Sequence, residues 1–135
     1  MIQRLQSRRG GFTLVEIMIV VAIIALLAAI AVPNFLRARK RSQATRILED
    51  LVQLDHAVDQ YAIDNGETSG MTPVFADLAN YVKTGTVLYS TGEDLFGDSY
   101  GPFTVDSILH VPANAYTTLS DVAPAVFWSP YITGS

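Results

Sequence analysis

The chain contains no cysteine, so neither a disulfide framework nor a thiolate metal site is open to it. Histidine is nearly as scarce: His56 and His110 are all it offers for acid-base work near neutral pH. His56 lies beside Asp55 and three residues before Asp59, which suits a surface hydrogen bond on a helix, whereas a metal centre needs further convergent ligands. No Gly-rich phosphate loop, nucleophile elbow or zinc-ligand spacing occurs. On these grounds the chain is not an enzyme. Cations are also missing from most of it. Beyond Ser42 only Arg46 and Lys83 stand against twelve acids running from Glu49 to Asp121, and a stretch so acidic has no affinity for nucleic-acid phosphates.

What is present is concentrated. Much of the 50% hydrophobic content of the 135 residues lies in one block, Phe12 to Leu36. Its sixteen residues Ile17 to Val32 are all apolar and include no glycine or proline. Extended to Leu14 and Leu36, the block is interrupted only by Glu16, Pro33 and Asn34, and it has the roughly 20 residues a helix needs to cross a bilayer. Arg4, Arg8 and Arg9 precede it, and Arg37, Arg39, Lys40 and Arg41 follow it, so charge bias alone does not orient it.

The pattern then becomes one-sided. Ala44, Ile47, Leu51, Leu54, Val58 and Tyr61 recur at helical spacing, widened by Leu48, Val52 and Ala62, while Glu49, Asp50, Asp55, Asp59 and Asp64 lie mostly off the stripe. Pro33 is the only breaker before Asn65-Gly66, which predicts one continuous helix from Thr13 to Asp64, about 80 Å long. Thr72-Pro73 has the form of a helix start, followed by an apolar face of Phe75, Leu78, Ala79 and Val82 that Gly85 ends. Thr86–Tyr89 and Phe103–Val111 have strand composition, and the tail from Tyr116 is expected to be irregular, packed cover. The expected fold class is α+β: a long N-terminal helix, its first half membrane-spanning and its second amphipathic, against a small head with a short antiparallel sheet. The expected boundaries are 1–11 for a leader, 12–36 for the apolar helix, 37–64 for the amphipathic helix and 65–135 for the acidic head.

Around the start of the block the residues run Arg8-Arg9-Gly10-Gly11-Phe12-Thr13-Leu14-Val15-Glu16. Here, and on to Pro33, the chain resembles the type IV pilin-like prepilin family, over about a fifth of its length. That resemblance implies cleavage by a prepilin peptidase between Gly11 and Phe12, N-methylation of Phe12, and assembly through the helix that holds Glu16 and Pro33. It also implies a single-pass inner-membrane precursor with a cytoplasmic N-terminus, lying in membrane lipid before assembly. The expected product is a homo-polymer, a periplasmic or cell-surface filament made with an inner-membrane assembly platform and other pilin-like subunits. The cysteine-free tail lacks the disulfide loop of many adhesive type IV pilins.

The physics of Glu16 bears on the same point. A carboxylate in an apolar membrane helix costs about 2.5 to 3.5 kcal/mol, so a partner is expected, and cleavage would create an amine at Phe12 within roughly 6 Å of helix rise. A second reading makes Thr13-Leu14-Val15-Glu16 a capping box, S/T-x-x-E, which explains those two residues but neither the basic leader nor the apolar run. Pro33 fits both a kink and the end of a membrane helix. Ala28, Ala29 and Ala31 allow close helix approach. The cations after the block suit lipid phosphates, acids of adjacent subunits or plain solvation.

In the head, Asp94-Leu95-Phe96-Gly97-Asp98-Ser99-Tyr100 is similar to a turn of the major pseudopilin of type II secretion, with both of that turn's prolines absent. This favours a pseudopilus over a pilus. No cofactor is expected; Glu93, Asp94 and Asp98 are hard-oxygen groups able in principle to hold Ca²⁺, and a solvated acidic turn also accounts for them. The alternative function is a secreted or membrane-anchored small binding domain, with an ordinary signal sequence cut near Ala29-Ile30-Ala31.

Overall fold

The computed structural model describes residues 10–132, in two compact units that divide between Leu36 and Arg37. Of the expected leader only Gly10 and Gly11 belong to the described residues. One helix, α1 (Leu14–Asn65), supplies residues to both units. Its limits match the pattern: no breaker interrupts it except Pro33, and it ends where Gly66 takes a left-handed φ of 64°.

In the first unit every residue from Gly10 to Leu36 is exposed. This stretch is long and apolar enough to cross a membrane. A helix satisfies its own backbone polar groups, which is what hydrocarbon demands, but so wide an uncovered apolar surface needs lipid or protein around it. α1 runs through Pro33 without interruption. The missing proline N–H removes only the bond to Ala29, and the neighbouring turns hold.

In the second unit α1 turns one face inward, burying Ala44, Ile47, Leu51, Leu54, Ala57 and Val58. Leu48, Tyr61 and Ala62 pack at its margins. The expected stripe is thus correct in phase, although Ala57 belongs to it and Val52 stays 36% exposed. The face is covered by Leu78, Leu88, Tyr100, Leu119 and Trp128, all at most 2% exposed.

That cover contains no strand among the described residues, so the expected sheet, and with it the α+β class, is corrected. Thr86–Tyr89 instead opens a short helix, α3 (Val87–Thr91). The Thr86 hydroxyl accepts the Tyr89 N–H at 3.1 Å, and Gly92 closes the turn at φ 68°. Cap and stop outweigh the strand preference of Val87 and Tyr89. Phe103–Val111 is broken at its centre by a turn in which Ser107 N–H donates to the Thr104 carbonyl. Its ends find separate partners: Val105 exchanges backbone bonds with Gly70 and Met71, and Val111 N–H donates to Tyr131. Two anchors on different segments cannot propagate a ladder. The only bridge among the described residues is the isolated antiparallel pair Glu93 and Ser99.

The helix start expected at Thr72-Pro73 is also displaced. α2 (Phe75–Leu78) is capped at Val74, whose N–H donates to the Asp77 carboxylate at 3.0 Å. A 3₁₀ turn, Ala79–Tyr81, extends it, and Leu78 and Val82 are buried as expected. The tail carries more order than irregular cover: α4 (Ala113–Thr118) and a 3₁₀ turn at Ala125–Trp128. Trp128 is fully buried, and its indole N–H donates to the Ala123 carbonyl at 3.0 Å.

Candidate functional site

At the start of α1 the Thr13 hydroxyl accepts the Glu16 N–H at 3.2 Å, while the Glu16 carboxylate accepts the Thr13 N–H at 3.0 Å. This reciprocal pair satisfies two helix N-terminal donors and places the acid at the positive end of the helix dipole, an effect of about 0.3 to 1 kcal/mol. Glu16 is therefore not orphaned in the uncleaved chain. The capping-box reading holds locally and leaves room for a second role, because the carboxylate stays exposed beside Phe12, one turn earlier. Phe12 itself is 84% exposed. A side chain built at Gly10 or Gly11 would meet nothing within 4 Å, so no packing in this structure requires glycine there.

Among the described residues, Lys40 alone of the four cations after the block is ion-paired, with Asp121 at 2.9 Å. The pair lies within the second unit, and it holds the Asp121 carboxyl below its ordinary range, chiefly through the Lys40 hydrogen bond. Arg41 sits over the Phe127 ring, 5.9 Å from its centroid. Sequence offered no signal for either contact, since both join α1 to the tail.

The acidic turn behaves as a local staple. Asp94 is 5% exposed, and its Oδ1 accepts the N–H groups of Phe96 and Asp98. Asp98 in turn accepts from Asn114 at 2.8 Å. Among the described residues no group of three His, Asp or Glu side chains is placed to hold a metal, and Glu93, Asp94 and Asp98 do not converge as one. His56 is exposed on α1, and His110 Nδ1 is 2.7 Å from the Ile132 carbonyl.

Sequence inspection also missed two phenol contacts that tie the head to α1, of which the Tyr131 hydroxyl donating to Asp55 at 3.3 Å is the longer. The Tyr100 hydroxyl donates to Asp50 at 2.9 Å, with Tyr100 2% exposed. Desolvation raises the Asp50 pKa, against the lowering effects of this hydrogen bond and of Arg46, with Glu49 and Asp94 adding to the rise. Burial first, then the Asp50 charge, pushes the Tyr100 phenol up as well. Only the match of Tyr100 to a pseudopilin turn marked it beforehand.

Residues 6–32 match the family model described as the prokaryotic N-terminal methylation motif. The type II secretion system core protein G of Klebsiella pneumoniae is 41% identical over 59 residues, covering 44% of this chain and 42% of that protein. The protein of the same name from Escherichia coli (strain K12) is 39% identical over 62 residues, 46% of this chain and 43% of its own length. The type IV major fimbrial protein FimA of Dichelobacter nodosus is 43% identical over 63 residues, 47% and 40% respectively. The chain thus spans under half the length of these curated relatives, and the comparisons indicate no catalytic family. No solved structure matches it. Through its N-terminal stretch, where the methylation motif overlaps the exposed apolar part of α1, the chain is similar to core proteins of type II secretion and to a type IV fimbrial protein.

Proposed function

We propose that the chain is a structural subunit of a type IV pilus-like or type II secretion pseudopilus filament. It is stored in the inner membrane as a single-pass precursor, cut by a prepilin peptidase between Gly11 and Phe12, methylated at Phe12, and polymerised through α1. The observation that carries this reading is the wholly exposed apolar stretch that the methylation motif overlaps. Such a surface has two stable environments, lipid and a bundle of like helices, and transfer from one to the other is assembly. Pro33 and the alanines before it lie on the part of α1 that would pack in that bundle.

In this reading Glu16 has two partners in succession. The Thr13 amide holds it in the precursor, and the amine freed at Phe12, in its own or a neighbouring copy, neutralises it after cleavage. The partners are further copies of this chain, other pilin-like subunits, the peptidase and an inner-membrane assembly platform. The partial Asp94–Tyr100 likeness favours the pseudopilus. Electron microscopy of cells labelled with antibody to the acidic head tests the proposal. Labelled filaments are expected from the unaltered chain and lost in Gly11→Val, which has room for its side chain and so fails at processing and not in folding. Glu16→Leu is expected to insert in the membrane yet assemble poorly. Normal filaments from both variants would contradict the mechanism.

A further inference from the structure

On the second unit α1 and the loop after Val105 enclose a groove of about 430 Å³. It continues into a smaller hollow of about 150 Å³ through Asp59 and Asp106, which line both. Its chemistry is mixed. Ile63 and Ile108 are 75% and 53% exposed, and Asp55, Asp59, Glu67 and Asp106 stand around them. Among the described residues none of these acids lies in an ion pair, since the one such pair is that of Lys40 with Asp121.

The geometry points to this groove as the seat for Arg37 and Arg39 of a second copy of the chain. Both arginines are exposed and, among the described residues, likewise lack an ion-pair partner. Guanidinium heads match carboxylates bidentately, and the aliphatic stems of arginine lie readily on apolar floor of the kind Ile63 and Ile108 provide. A chain cannot fill its own groove. Arg39 and Asp59 are about 20 residues apart on one continuous helix, so roughly 30 Å of rigid rise separates them. Seating therefore joins copies displaced along the helix axis by about 30 Å, and it gives the charge segregation of the chain a use: basic collar on acidic groove, copy after copy.

The inference rests on the filament reading and is tested so that the two can fail separately. The natural chain has no cysteine, so the full-length double variant Arg39→Cys with Asp59→Cys reports only the engineered contact. Oxidised filaments are expected to give a ladder of disulfide-linked multimers on a non-reducing gel, with none from a control pairing Arg39→Cys with Lys83→Cys. As a second arm, Asp59→Arg is expected to lower filament yield, and adding Arg39→Asp to the same chain to restore it. Filaments with neither ladder nor restored yield overturn the groove contact alone. Absence of filaments from the unaltered chain overturns both readings.

Discussion

Gly92 shows how little freedom single residues have in a head whose described residues form no sheet. Its φ of 68° ends α3, and a Cβ there would stand 2.8 Å from two atoms of the Phe75 ring. Conformation and space both call for glycine, so Gly92→Ala is expected to cost about 2 kcal/mol. Chemical denaturation of the detergent-solubilised chain, followed by fluorescence of its one tryptophan, measures the loss. Asp50 makes a different prediction, set by the sign of its shift. Its folded pKa lies above the ordinary 3.8, so the folded chain keeps a proton that the unfolded chain releases. Stability should therefore fall as pH rises from the ordinary value through the raised one, then level off. Asp50→Asn is expected to flatten that segment of the profile, and an unchanged slope would remove Asp50 as its source. Tyr100→Phe should instead weaken the fold by about 1 to 2 kcal/mol, because it leaves the half-buried carboxylate without its phenol donor.

Elements were legible in proportion to their length. α1 could be traced almost to the residue because its signals are internal: an unbroken apolar run, a helical stripe and a stop at Asn65-Gly66. The head elements are four to six residues long, and a window that short carries no periodicity. Val87 and Tyr89 suggested a strand because their β preference was weighed without the Thr86 cap. Phe103–Val111 suggested one because nothing local reveals that its two ends bond to different segments. The tail aromatics were correctly expected to cover the core, since Trp128 and Tyr131 are too large to leave exposed beside an open helix face. The element-scale prediction follows from the stripe. Leu51→Ala, at 0% exposure, is expected to cost about 2 to 5 kcal/mol, while Val52→Ala, one position away and 36% exposed, should cost far less. Equal losses in the same denaturation assay would mean that α1 does not present the face described.

Across the whole molecule, function follows from where the chain is left uncovered. The second unit buries its helix face, whereas the first buries nothing from Gly10 to Leu36. An apolar surface of this width needs lipid or protein around it, and in the proposed reading removal of a leader is the irreversible step that directs the exchange. The methylation motif was legible because it is a compact linear pattern; the Thr13–Glu16 pair and the Lys40–Asp121 bridge needed coordinates, the first to show reciprocity and the second because 81 residues separate its partners. The central claim is tested most directly by mass spectrometry of the N-terminal peptide of subunits recovered from polymerised material. The expected peptide begins at Phe12 and carries one added methyl group on its amine. Polymer whose subunits still begin at Met1, or a mature chain beginning at Val32, would contradict the account.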